Sequence, residues 1–252
     1  MAENVCEICG GSGWRIVERD GISAADKCEC AGATASRRRF SRSGIPPKFA
    51  NSSFENFSLL NENPIAHRGI TPVFMAVRKY AREFPMSEKP GLLLIGETGT
   101  GKTHLAVAAL QALIERGFEG RFFDFNELID KIRNSYVSES SASDRAAYSQ
   151  AMESEILLLD DLGAHRVKDF VQDVLTSIIS YRYNNNKPLI ATTNLPDSDA
   201  GYAMTKRPVG ASGPEIRMTL AENIGMRARS RLFEMCHVIR MPDVEDYRMR
   251  RR

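Results

Sequence analysis

The chain is expected to fold as an α/β protein, a P-loop core with a parallel sheet flanked by helices, preceded by a small cysteine-bearing module. Three observations carry that expectation. Residues 96–103 read Gly-Glu-Thr-Gly-Thr-Gly-Lys-Thr, a phosphate-binding loop set between an apolar run and a helical pattern. Apolar runs alternate with helical periods along the rest of the chain, as in a parallel sheet. Four of the five cysteines fall within the first 30 residues.

The loop sits where its chemistry needs it. Gly91-Leu92-Leu93-Leu94-Ile95 reads as a short buried strand and His104 to Glu115 as a helix. Glycines between them let consecutive backbone N–H groups face phosphate oxygens at the positive end of the helix dipole. Gly96, Glu97, Thr98, Gly99, Thr100, Gly101, Lys102, Thr103 and His104 are the expected nucleotide-binding residues, and ATP the expected nucleotide. Lys102 would reach the β- and γ-phosphates, and the Thr103 hydroxyl would ligate Mg²⁺.

Ile156-Leu157-Leu158-Leu159-Asp160-Asp161 is an apolar run ending in two acids, a Walker B pattern. Acids at the C-terminal end of a buried strand lie at the edge where open α/β sheets bind ligands. Asp160 would hold Mg²⁺ and Asp161 would orient the attacking water. A solvated acidic strand end is the plainer reading. A third strand, Pro188 to Asn194, ends in Thr-Thr-Asn. Asn194 suits a sensor of the γ-phosphate or attacking water, or a turn-forming Asn before Leu195-Pro196.

Length and composition bound the rest. A chain of 252 residues holds one medium domain and an appendage. No stretch approaches the ~20 apolar residues of a membrane span, and no signal peptide is apparent, so a cytoplasmic, membrane-free location is expected. A net charge of +2 says little about nucleic acid. Its distribution says more: Arg37, Arg38, Arg39, Arg42 and Lys48 form one acid-free run, and Arg248-Met249-Arg250-Arg251-Arg252 another. Each suits phosphates or an acidic partner, or simply a solvated linker and tail.

Cys6-Glu7-Ile8-Cys9 and Cys28-Glu29-Cys30 suit four thiolates around one tetrahedral Zn²⁺. Trp14 to Arg19 and the turn Asp20-Gly21 suggest a hairpin between the pairs. So small a segment has no core, and metal would supply its folding energy. Two disulfides, disfavoured in the cytosol, and free thiols are the alternatives. Cys236 lies in an apolar setting and reads as core.

These readings divide the chain into a zinc-binding module (1–35), a basic linker with a nucleotide-side segment (36–58), and the ATPase domain (59–252). Phe54 and Phe57 in the second part suit packing beside an adenine or anchoring the segment to the core. A helix is expected over Gly69 to Glu83, with Thr71-Pro72 at its start. Next come a strand from Gly120 to Phe125, a helix from Glu127 to Arg133, a Ser-rich loop from Ser138 to Ser143 and a helix from Phe170 to Arg182. Pro196 to Pro214 is a long Gly/Pro-containing loop with Lys206 and Arg207. A helical pattern resumes from Pro214 to Phe233, before a strand from Cys236 to Met241.

Taken in order, these motifs resemble the AAA+ ATPases, and within them the DnaC/IstB-like group, over residues 45–248. The resemblance rests on Phe54-Glu55-Asn56-Phe57, the P-loop with His104-Leu105, Leu159-Asp160-Asp161-Leu162-Gly163, Thr192-Thr193-Asn194-Leu195, Arg229-Ser230-Arg231-Leu232-Phe233-Glu234 and Asp246-Tyr247-Arg248. It implies head-to-tail self-association, with Arg231 as the arginine finger aimed at a neighbour's γ-phosphate and Arg227 and Arg229 as nearby competitors. The chain runs on only to Arg252, so the helical lid of most AAA+ proteins is expected to be absent. Many AAA+ proteins have Glu where this one has Asp161, which implies slow hydrolysis.

The cysteine-bearing N-terminus looks like that of some bacterial and phage DnaC-like replication proteins. The resemblance implies an ATP-dependent loader of the replicative DNA helicase that also binds single-stranded DNA. Arg166, Lys168 and Phe170 are candidate DNA contacts, or an ordinary solvated loop. The alternatives are an IstB-like transposition helper remodelling duplex DNA, and a nucleotide-switched adaptor with little turnover.

Overall fold

A computed structural model describes residues 6–10, 12–19, 22–85, 88–135, 142–163, 169–197, 205–206, 215–216, 218–244, 246–247 and 249. The chain opens with a hairpin, β1 (Trp14–Arg19) and β2 (Ile22–Lys27), then α1 (Ala31–Ser43) and a 3₁₀ turn at Pro47–Phe49. There follow α2 (Pro64–Glu83), β3 (Gly91–Ile95), α3 (Lys102–Glu115), β4 (Gly120–Asp124), α4 (Phe125–Ser135), α5 (Ala142–Glu153), β5 (Ile156–Asp160), α6 (Asp169–Asn184) and β6 (Leu189–Thr193). A two-residue pair, β7 (Thr205–Lys206) and β8 (Glu215–Ile216), precedes α7 (Leu220–Ile224), α8 (Met226–Met235) and β9 (Cys236–Arg240).

The apolar runs become central strands because both faces are covered. Five parallel strands pair in the order β4-β5-β6-β3-β9. Alternation within each strand splits it between two cores. Leu93, Ile95, Leu157 and Leu159 pack with α4 to α8 on one face. Leu92, Leu94, Ile156 and Leu158 pack with α2 and α3 on the other. Every residue of β3 is buried, and emptying one such leucine to alanine typically costs about 2–5 kcal/mol. Arg182 is fully buried and donates to the carbonyls of Ala151, Met152, Ser154, Glu155 and Pro188, tying the starts of β5 and β6 together.

The expected strands, the P-loop helix and the hairpin are all present. Several boundaries differ, each for a local reason. The first core helix begins at Pro64, not Thr71-Pro72: Asn63 accepts from the Ile65 and Ala66 amides, and Pro72 lies inside the helix. The segment after Cys30 is a helix rather than a linker. Alanine and arginine favour helix there, Phe40 packs on the core, and Gly44 ends it in the left-handed region. Phe125 starts α4 instead of ending β4, because Asp124 accepts from the Asn126 and Glu127 amides. Gly225 divides the helical pattern before β9. Helix α5 has no counterpart in the sequence reading. Arg166, Lys168, Asp20-Gly21, Arg207, most of the 196–214 stretch, and arginines 248 and 250–252 lie outside the described residues.

Candidate nucleotide site and cysteine cluster

Parallel pairing brings the C-terminal ends of β3, β5 and β6 to one rim of the sheet. The P-loop follows β3 there. Gly101, at φ +89°, caps α3, and Gly99 stands at φ +78°, both in the left-handed region that glycine tolerates. The Lys102 side chain is buried, and its Nζ donates to the Gly96 and Glu97 carbonyls at 2.8 Å each. Thr100 Oγ1 also donates to the Glu97 carbonyl, which holds the loop's first half, and Thr98 is exposed at its tip.

Asp160 ends β5 beside Asp124, its register partner on β4. It is buried, and burial lifts its pKa from 3.8 to about 6. Hydrogen bonds from Thr192 and Thr103 oppose the shift, and the charges of Asp161 and Asp124 reinforce it. A buried carboxylate bonded to the P-loop threonine, with two more acids nearby, is a donor set that suits a hard divalent cation. Thr192 Oγ1 donates to Asp160 at 2.6 Å and accepts the Asp161 amide at 3.0 Å. Asp161 sits at φ +54°, an uncommon setting that Asp and Asn tolerate best, and opens the turn through Gly163. One hydroxyl therefore fixes both acids. Asn194 follows β6 directly, half-buried, on the same rim.

The segment around Phe54 anchors to the core and also walls the loop. Phe57 stacks on Phe74 at 5.9 Å and meets His104 edge-on and Tyr247 at a tilt. His104 Nε2 pairs with the Ser53 carbonyl at 3.0 Å. The C-terminal segment folds back onto the same place. The Tyr247 amide donates to the Gly99 carbonyl, and its hydroxyl donates to the Ser58 carbonyl at 2.7 Å. A Cβ on Gly99 would strike the Asp246 carboxylate, and one on Gly101 would strike Phe57. Sequence reasoning missed Thr192, Asp124 and the Asp246-Tyr247 contact. The Thr192-Thr193 pair was visible as polar residues ending an apolar strand; the tail contact had no local signal.

The three candidate finger arginines differ sharply. Arg229 is committed within its own chain, to Asp197 at 2.7 and 3.0 Å, and lies over Phe233. Arg227 is exposed. Arg231 lies over Tyr183, and its Nε is buried without a hydrogen-bond partner.

At the other end of the chain, the Sγ atoms of Cys6, Cys9, Cys28 and Cys30 all lie within 4.8 Å of one another. Cys6 and Cys28 are 3.8 Å apart, and Cys9 and Cys30 3.2 Å. Zn–S bonds of about 2.3 Å put tetrahedral sulfurs about 3.8 Å apart, so the cluster fits a zinc ion. The Gly13 amide donates to Cys9 Sγ, as backbone amides do toward thiolate ligands. The neighbouring thiols, Cys9 foremost, push Cys30 up to about 12, so a cation is needed to make this a thiolate set. Cys236 is fully buried, as expected of a core residue.

Residues 80–204 match the family of IstB-like ATP binding proteins. That segment is similar to IstB-like ATP-binding domains, and the fold around it is of the P-loop AAA+ class. Phage-like element PBSX protein XkdC of Bacillus subtilis (strain 168) is 25% identical over 199 residues, covering 75% of this chain and 71% of XkdC. The replicative helicase loader DnaC of Escherichia coli (strain K12) is 25% identical over 158 residues, covering 63% of this chain. The chain thus spans only 61% of DnaC's length. The crystal structure of a DnaC helicase loader superposes with a TM-score of 0.59 at 29% identity, covering 78% of this chain and all of that one. Among the described residues no helix is long and apolar enough to cross a membrane.

Proposed function

We propose that this protein is an ATP-dependent, cytoplasmic loader of the replicative DNA helicase. The supporting observation is the joining of a DnaC-like core to a rim where Thr103, Asp160 and Thr192 interlock beside Lys102. Lys102 draws the β- and γ-phosphates of ATP, while Thr103 and Asp160 hold Mg²⁺, which offsets charge on the phosphates. Asp161 orients the attacking water, and Asn194 contacts that water or the γ-phosphate. The Asp161 carboxylate is one methylene shorter than the usual Glu, and turnover is slow. Chains associate head to tail, with Arg231 reaching the neighbour's nucleotide. The pairing of Arg229 with Asp197 favours Arg231 over it for that role. Residues 1–35 form a Zn²⁺ module that grips the helicase, the core runs from residue 59, and single-stranded DNA is bound during loading.

The test is capture of the source organism's replicative helicase by the intact protein and by a chain lacking residues 1–44, each with ATP and with ADP. Nucleotide-sensitive capture that needs the N-terminal segment is expected. Absence of capture in every state would overturn the reading and favour a duplex-DNA remodeller.

A further inference from the structure

A groove at the free edge of the sheet carries a second set of charged residues, remote from the P-loop. Helix α1 packs against β4 and α3, and Arg121 of β4 donates to the Arg42 carbonyl, so the core fixes the end of the helix. Between α1 and α5 this leaves a cavity of about 240 Å³. Arg39 and Arg42, one turn apart on α1, line it with Arg121, Ser149 and Gln150.

The charges there are unbalanced. Among the described residues none of the three guanidinium groups has a carboxylate partner. Glu119 and Glu153 also line the cavity, but Glu153 is engaged by Tyr181 and Lys187. With Glu153 engaged, three clustered guanidiniums face only the Glu119 carboxylate, and a bound anion relieves the remaining repulsion. Their planar forks match phosphate oxygens, and Ser149 and Gln150 add neutral donors and acceptors for sugar or base edges.

We propose that this groove binds the phosphodiester backbone of single-stranded DNA. The inference rests on the DNA-binding part of the function proposed above and gives that binding a place. The cavity's size favours a flexible strand. It accommodates about one nucleotide unit of a flexible strand, whereas a stiff duplex spans more, and a protein partner needs about 800 Å² of surface. The strand so held lies between α1 and the free edge of the ATPase core.

The experiment is anisotropy of a labelled oligothymidylate on the full-length, zinc-loaded protein, over about 50 to 200 mM salt. The variants are the double substitution Arg39→Ala/Arg42→Ala and, separately, Ser149→Glu, which brings a negative charge from α5 without touching α1. ATP hydrolysis and thermal stability serve as folding controls, since neither α1 side chain makes a hydrogen bond or ion pair among the described residues. Roughly tenfold weaker binding is expected for the double variant. Its salt slope should be shallower by about 1.4, from about 0.7 per lost phosphate contact. Ser149→Glu should weaken binding in the same direction. Strong binding by the parent protein with both variants unchanged would overturn the groove and leave DNA binding to another surface. No binding by the parent would overturn the DNA-binding reading itself. Equal competition by unlabelled duplex would overturn the single-strand assignment.

Discussion

The nucleotide rim and the cysteine module are held together by opposite means. At the rim, polar groups stand on the ends of strands whose side chains are almost wholly buried, so the core positions Asp160, Thr192 and Lys102 before any ligand arrives. In the module nearly all of the hairpin is exposed, including Trp14, Ile16 and Ile22. Apart from Cys28 and Gly13 it has little interior of its own. Four sulfurs take the place of a core. A site built on a core tolerates loss of its ligand, and a site built from ligands does not.

Removing the metal separates the two regions most strongly. Structural zinc contributes on the order of 10 kcal/mol in small modules. Chelation, or Cys28→Ser, should therefore unfold residues 6–30, read as loss of their dispersed amide signals by NMR, while the melting of the core stays put. Joint melting of both regions would break the contrast. Asp161→Asn should do the reverse. Asn tolerates the φ of +54°, so the turn persists and ATP binds, while steady-state hydrolysis falls by about 100-fold or more.

The rim's preorganisation has a cost that pH exposes. Asp160 is held near a pKa of about 6 against an ordinary 3.8. The folded state thus binds its proton more tightly than the unfolded chain does. Metal-free protein gains stability from this below the ordinary carboxylate value and loses it as pH rises to about 6. Metal-free Asp160→Asn should be more stable than the parent at neutral pH, by on the order of 2–3 kcal/mol, and lose that advantage in acid. Denaturant titrations at several pH values measure this; a pH-independent difference would show that burial does not strain Asp160. Thr192→Val removes the hydroxyl shared by the two acids and should cost about 1–3 kcal/mol of stability, with a clear fall in turnover. The smallest effect is expected from Tyr247→Phe. Loss of its bond to Ser58 should weaken labelled-nucleotide binding by about fivefold, near 1 kcal/mol, with turnover at saturation unchanged.

The same contrast explains what was legible in the sequence. Strand ends were easy to read, because a run such as Ile156–Leu159 can only be buried, and acids that follow it must lie at the rim. The cysteine spacing was equally direct, since few other arrangements use four clustered thiols. Contacts between distant segments were hidden. Thr192 gained its role only once β6 lay beside β5, and Tyr247 only once the tail crossed Gly99. Helix α1 was hidden for another reason: its arginines read as solvated linker until Phe40 and Arg121 docked it on the core.

The central claim, that nucleotide chemistry at the rim drives helicase loading, is tested most directly on circular single-stranded DNA, which offers no end to thread. Helicase rings bound to the circles are counted with ATP, using the intact protein and the Lys102→Ala variant. The intact protein should raise ring occupancy several-fold over helicase alone, and Lys102→Ala should leave it at the helicase-alone level. Equal loading by both proteins, or none by either, would contradict the claim.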